Sequence, residues 1–268
     1  MNLDWLDSFL VTGLFEVVMV IGLGLLLHLQ LGLARIANFG VVGFWGIGMY
    51  TFGVLYVQVD WPFGEPFQFL VCAAAATFVA GLAGLLVGWL IADLDTDGVL
   101  VGTLGFATAV QILAITQDDL TGGARGLGGL DFPFDLGKVK TNEAAWLLIV
   151  AVVVAGILFY AWRVHRSPYG RLLIGVGGNE PLARSLGKST FRTKLVLFGV
   201  TSGAMGLLGA MNGVMARYLD GAELSEAEIS RGDGRQHGGG GNEARHLARI
   251  GTARRRHGDE LAGMFVER

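Results

Sequence analysis

The chain has 268 residues, of which 52% are hydrophobic and only 16% are charged, and its mean hydropathy is +0.54. Soluble domains carry about 25% charged residues, so this composition excludes an ordinary soluble protein and indicates an integral membrane protein. The single cysteine, Cys72, excludes an internal disulfide and a cysteine-rich metal site.

Six apolar segments are long enough to cross a hydrocarbon core of about 30 Å. They occupy residues 9–31, 33–59, 67–92, 99–117, 144–162 and 195–216. Small residues recur four apart in the third and sixth segments, as in Gly84 with Gly88 and Gly199 with Gly203, which lets helix backbones approach closely. The predicted fold class is all-α, a polytopic transmembrane helix bundle of about six spans within residues 1–229.

The second apolar segment is interrupted by glycines. Gly40, Gly43 and Gly46 lie three apart, and Asn38 comes just before them. Each glycine weakens a helix by about 1 kcal/mol relative to alanine, and broken helices often line the substrate path of transporters. One interpretation is that Asn38, Gly40 and Gly43 line a substrate pathway. The other is tight helix packing with Asn38 at the membrane edge.

Charge predicts the orientation of the spans. The loop between the fifth and sixth segments, residues 163–194, has seven Lys and Arg residues and one acid, Glu180. The chain is expected in the plasma membrane. The positive-inside rule places this basic loop on the cytoplasmic side, and counting back through the spans then places the N-terminus on the outer side. The loop that begins Thr121, Gly122, Gly123 then lies outside, either as a solvated turn or as a loop that reaches the substrate route or an external partner.

Within the basic loop, "GVGG" resembles part of a nucleotide-binding loop. Gly175 and Gly177 fit G-x-G-x-x-G, but Glu180 occupies the third glycine position and no strand precedes it, which argues against nucleotide binding. A short helix is predicted instead, capped by Asn179 and ended by Gly187. It is either a docking element or part of an ordinary membrane-edge loop.

Three blocks carry a family resemblance, which covers about residues 32–218. They are "NFGVVGFWGIGMYTFG", "TLGFATAVQILAITQDDLTGGARGLGGL" and "YGRLLIGVGGNEPLARSLGKSTFRTKLVLFGVTSGAMGLLGAM". They resemble the permease subunits of branched-chain amino-acid ABC importers, in particular the LivM-like branch. The resemblance implies that the basic loop is a coupling loop that docks on a cytoplasmic ATPase. Its positions map to Arg171, Asn179, Glu180, Ala183 and Gly187. Pro181 and Leu182 depart mildly from the family pattern.

The resemblance also implies a cargo and an assembly. The expected cargo is a branched-chain amino acid or a similar small polar solute, with urea or short amides as the alternative. The expected partners are a second homologous permease, two ATPase subunits, an extracytoplasmic solute-binding protein and the lipid bilayer, with no nucleic acid. No cofactor is expected in this chain, because ATP would be bound by the partner.

A polytopic membrane enzyme is the competing class. Such an enzyme usually shows His, Asp or Glu clusters in or beside its spans. The candidates Glu16, His28, Asn38 and Gln111 form no metal or nucleophile pattern. No catalytic or metal-binding residue is therefore predicted, and His28 and Gln30 are expected at the membrane interface.

The last segment, residues 230–268, departs from the family. It has eight arginines, three of the five histidines and no lysine, where the family continues with about two further spans. A basic patch, a metal-binding tract and disorder are possible interpretations. Out-of-frame translation of a GC-rich gene also explains this Gly/Arg/His/Ala mixture, and the permease would then be C-terminally incomplete and inactive.

The out-of-frame hypothesis predicts what the gene encodes in its other two frames. Beyond the codon for Asp220, one of them should encode apolar spans with a Gly-Gly-x-Gly motif. Translation of the nucleotide sequence checks this directly, and the absence of such spans from both frames would refute it.

Overall fold

The computed structural model describes residues 4–59, 62, 64–91, 94, 96–117, 121, 127–128, 130, 132–134, 139–216 and 218–219. The chain divides into two units, Met1–Glu228 and Ile229–Arg268, and every described residue belongs to the first. Residues 230–268, for which the out-of-frame hypothesis was made, lie outside the described residues.

Six long helices carry the apolar segments. Helix α1 spans Asp4–Leu27 and continues as a π-helical turn over His28–Leu33, followed by α2 (Val41–Gln58), α3 (Glu65–Ile91), α4 (Thr96–Thr116), α5 (Val139–Arg166) and α8 (Thr190–Ala216). Each contains a stretch long and apolar enough to cross a membrane. The prediction of an all-α bundle with six spans is confirmed.

Two short helices, α6 (Pro168–Gly178) and α7 (Glu180–Ser185), form the basic loop between α5 and α8. At the opposite end, β1 (Leu127–Gly128) pairs antiparallel with β2 (Tyr218–Leu219). This two-residue ladder is the whole of the β-structure in the described ranges. It joins the chain that follows α4 to the chain that follows α8.

The helix boundaries differ from the predicted spans in two ways. Helix α2 begins at Val41, whereas the apolar segment begins at residue 33, because residues 35–40 leave the helical path. Helices α5 and α8 extend beyond the predicted ends at the basic loop. Hydropathy detects only the part of a helix that lies in hydrocarbon, so it does not include charged turns at the membrane edge.

Helix α8 is the most buried of the six spans and packs against α2 and α3. Small residues make this packing close, as expected from their spacing. A side chain at Gly48 would collide with the backbone of Gly206, and one at Gly84 would collide with Ser202. Helix α1 pairs with α5, and Trp146 on α5 donates an indole hydrogen bond to the Met211 carbonyl of α8 at 3.2 Å. Helix α4 lies mainly against α2.

Candidate functional site

The central feature of the bundle is the largely buried connection between the first two spans, called here the 34–40 segment, in which residues 35–40 are non-helical. It follows a π-helical turn. This geometry is rare in proteins overall, but where it occurs it is often found at functional sites. Arg35 then adopts φ +54°, which is uncommon for a residue with a side chain. Five of the seven residues are buried, so their backbone groups need hydrogen bonds from other parts of the protein.

Gln30, whose side chain is fully buried, provides two of the hydrogen bonds that hold the segment. Its backbone carbonyl accepts the Ile36 N–H at 3.0 Å, and its side-chain oxygen accepts the Asn38 amide at 2.8 Å. Its side-chain nitrogen donates to the Thr201 hydroxyl of α8 at 2.5 Å. Asn38 in turn accepts the Gly40 N–H at 2.8 Å. The segment is thus fixed to α8 through side chains.

Thr103 on α4 holds the other side of the segment. Its hydroxyl accepts the Phe39 N–H at 3.0 Å and donates to the Val99 carbonyl at 2.9 Å. We call Gln30, Asn38, Thr103 and Thr201 the polar cluster. All four side chains are at most 2% exposed, so the cluster is enclosed within the bundle.

The structure corrects one placement. Gln30 was expected at the membrane interface with His28, but it points into the bundle and bonds α8, while His28 is exposed. Of the two interpretations of the glycine-interrupted segment, tight helix packing agrees with the close contact of Gly43 with α4, and the position of Asn38 at the membrane edge stays a prediction. Asn38 itself is 2% exposed and bonded within the cluster.

Two cavities flank the 34–40 segment. The smaller, about 190 Å³, lies toward the basic loop and is lined by Ala34 to Ala37 together with Glu180 and Lys194. The larger, about 320 Å³, is lined by Ala37 to Phe39 and by α4 residues including Thr108 and Gln111. Ala37 borders both cavities. The larger cavity is mainly apolar with a few amide and hydroxyl groups, a lining typical of small-molecule sites.

The predicted pathway residues are only partly brought together. Gly40 lies against the backbone of Thr103, and Gly43 lies against Ala107 and Phe106 of α4. Thr121 lies beyond the opposite end of α4, where its hydroxyl donates to the Ala114 carbonyl at 2.6 Å, so it is not part of the cluster. Gly122 and Gly123 lie outside the described residues.

The basic loop is built from two capped helices. Ser167 caps α6, with Pro168 in its first turn, a start signal that the sequence analysis missed. The predicted caps of α7 are confirmed: the Asn179 side chain accepts the Leu182 N–H at 3.0 Å, and Gly187 follows the helix with φ +73°. The "GVGG" stretch is helical, so it forms no phosphate-binding loop after a strand.

Glu180 is paired within the chain. Its carboxylate accepts hydrogen bonds from Lys194 at 2.5 Å and from Arg184 at 3.0 Å. Burial acts to raise the pKa of Glu180, but the bonds and charge of Lys194, with the bonds from Thr190 and Arg184, outweigh it and lower the pKa. The carboxylate is therefore ionised at neutral pH, and the ion pairs are lost only when the pH falls through this lowered value.

The outward face of α7 is formed by other residues than those named from the resemblance. Ala183 is 8% exposed and points into the protein, whereas Leu182 and Leu186 are 56% and 70% exposed. Arg171 on α6 is also exposed. The exposed leucines thus form an apolar surface at the end of the basic loop. Among the described residues, no three His, Cys, Asp or Glu side chains are grouped as a metal site requires.

The family profile described as "Branched-chain amino acid transport system / permease component" matches residues 8–225. The chain belongs to this family. The family match covers all six spans, the polar cluster and the basic loop.

Individual relatives are transport proteins. The chain is 28% identical over 235 residues to the high-affinity branched-chain amino acid transport system permease protein LivM of Salmonella typhimurium, covering 79% of this chain and 53% of that one. For LivM of Escherichia coli the identity is 28% over 241 residues, covering 81% and 55%. The L-arabinose transport system permease protein AraH of Escherichia coli is 30% identical over 131 residues, covering 48% and 36%. The chain spans about half the length of the LivM relatives, and no solved structure matches it significantly.

The polar cluster predicts the effect of removing Gln30. The variant Gln30→Leu leaves the Asn38 amide buried without an acceptor, which should cost about 1–3 kcal/mol of unfolding free energy. Denaturant unfolding in detergent micelles measures this.

The control for Gln30→Leu is Thr108→Val, whose exposed hydroxyl bonds the Leu104 carbonyl of its own helix. It should be close to neutral. The double variant Gln30→Leu, Asn38→Leu should lose less unfolding free energy than the two single variants lose in sum. Equal unfolding midpoints for Gln30→Leu and Thr108→Val would show that the cluster does not stabilise the fold.

Proposed function

We propose that this chain is a membrane permease subunit of an ABC importer and works by alternating access. The observation that carries the proposal is the largely buried 34–40 segment, which is non-helical from residue 35 onward and is held by side chains inside a six-span bundle. Irregular backbone at membrane depth is tolerated where it is enclosed by protein or borders a watery cavity, and such segments form solute sites in transporters. Family membership supports the same function.

Branched-chain amino acids are the proposed cargo. The LivM relatives, named for branched-chain amino acid transport, align over about four fifths of this chain. AraH, named for L-arabinose transport, and LsrC of Escherichia coli, named for autoinducer 2 import, align over about half. The larger cavity suits a small solute with an apolar body, because its few polar groups, Asn38, Thr108 and Gln111, stand among apolar side chains. Urea or a short amide is the alternative cargo.

A second, homologous permease is the proposed partner within the membrane. The larger cavity is bordered by Leu31, Phe39 and Leu104, all at least 40% exposed, so it opens at the side of the bundle. A second permease on this side would complete the wall of the pathway. An extracytoplasmic solute-binding protein would deliver the solute at the end opposite the basic loop.

The ATPase is proposed to bind the basic loop from the cytoplasm, with the N-terminus outside. Leu182 and Leu186 provide the exposed apolar contact. Glu180 is occupied by Lys194 and Arg184, and Ala183 is buried, so these two residues hold α7 in place instead of meeting the partner directly. Arg171, Asn179 and Gly187 shape and flank the same loop.

Uptake into proteoliposomes tests the function. The permease pair, assembled with its ATPase and reconstituted with binding protein, should accumulate radiolabelled leucine when ATP is supplied on the side of the basic loop, and should accumulate arabinose poorly. Preferential uptake of arabinose or urea would show that the cargo is not a branched-chain amino acid. Failure to co-purify with any ATPase, together with no ATP-dependent uptake, would reject the permease proposal.

Site-directed crosslinking tests the docking surface. In a Cys72→Ser background, Leu182→Cys should crosslink to a cysteine-bearing ATPase with a short bifunctional maleimide, because the side chain is exposed on α7. Ala183→Cys is the matched control and should react at least several-fold more slowly, because it points inward. Faster crosslinking at Ala183→Cys would show that the loop docks through its other face.

A further inference from the structure

We propose that the 34–40 segment is a movable partition between the two cavities and that helix α6 displaces it through Gly177. The inference rests on the proposed transport function and concerns how motion at the basic loop reaches the membrane interior. The residues that transmit the motion are positioning residues and do not need to touch the solute.

The positions of the cavities identify the partition. Arg35 and Ile36 line the smaller cavity, Asn38 and Phe39 line the larger one, and Ala37 lines both. The backbone around Ala37 therefore lies between the larger cavity, which opens at the side of the bundle, and the smaller cavity at the basic loop. Displacement of this backbone would join the two into one route.

Contact between backbones links α6 to this segment. A methyl group at Gly177 would lie 2.9 Å from the Ala34 carbonyl carbon and 2.9 Å from the Leu33 oxygen, where only backbone atoms are met. At this point of contact the nearest atoms are backbone, which cannot rotate away as a flexible side chain can. A methyl group at Gly175, two residues earlier on the same helix, would have no neighbouring atom within 4 Å.

Helix α6 is in turn joined to the docking helix α7. The Asn179 N–H bonds the Gly175 carbonyl at 3.1 Å and ends α6, while its side chain begins α7. Glu180, the next residue, pairs with Lys194 at the edge of the smaller cavity. A shift of α7 is thereby passed both to α6 and to the cavity wall.

The segment has the features of an element with two arrangements. At one end, Arg35 holds a left-handed backbone conformation, which is retained only where the surroundings impose it. At the other end, side-chain hydrogen bonds of the polar cluster hold Asn38 and Gly40. Those bonds can be exchanged without unwinding a helix. Pressure from α6 at residue 34 would therefore move the partition against this hydrogen-bonded end.

Thiol labelling at Ala37 tests the proposal in the assembled complex in nanodiscs. In a Cys72→Ser background, Ala37→Cys is labelled with N-ethylmaleimide, without nucleotide and with ATP plus vanadate. The labelling rate should differ at least fivefold between the two conditions. Adding Gly177→Ala should bring this ratio close to one, because the methyl wedges α6 against Leu33 and Ala34. Adding Gly175→Ala, the matched control, should leave the ratio unchanged.

Each outcome separates the inference from the proposed function. ATP-driven uptake with a nucleotide-independent labelling rate would overturn the partition and leave the permease intact. Equal ratios for Gly177→Ala and Gly175→Ala would overturn the role of α6. If Gly177→Ala does not assemble, Gln30→Leu supplies the decisive measurement. Release of Asn38 should then raise labelling of Ala37→Cys at least fivefold without nucleotide, and an unchanged rate would refute the movable partition.

Discussion

A backbone that leaves the helix inside a membrane bundle must find partners for its amide groups, and in this protein Gln30, Thr103 and Asn38 accept the N–H groups of Ile36, Phe39 and Gly40. The Gln30 side chain also bonds Asn38 and Thr201, which belong to two different parts of the chain. These bonds stabilise the non-helical connection, and the connection in turn borders both cavities.

The basic loop is likewise held by contacts within the chain. Its single acid neutralises Lys194, its buried alanine fills the space beneath α7, and its glycine at position 177 allows backbone contact with the first span. Glu180 and Ala183, two of the positions associated with coupling, thus hold the loop to its own bundle. The surface left for a partner includes the exposed Leu182 and Leu186, so the side of α7 that packs on the bundle differs from the side offered to a partner.

The parts of the structure that could be predicted from sequence are those set by local forces. Six spans follow from hydropathy, and the caps of α7 follow from Asn179 and Gly187, because a cap depends on only a few neighbouring residues. The capped start of α6 was equally local in Ser167 and Pro168 but was missed. The burial of Gln30 could not be predicted, because its partner Thr201 is 171 residues away. The inward orientation of Ala183 likewise depends on tertiary packing.

The polar cluster has a direction, since Asn38 donates to Gln30 and Gln30 donates to Thr201, whose hydroxyl donates to the Leu197 carbonyl at 2.7 Å. A replacement of similar size with reversed polarity at one position leaves a donor facing a donor or an acceptor facing an acceptor. Such a mismatch is costly where water cannot enter. A single substitution at one of these three positions is therefore expected to cost stability unless a compensating change at a neighbouring position restores the donor–acceptor match, although the positions lie far apart in the chain.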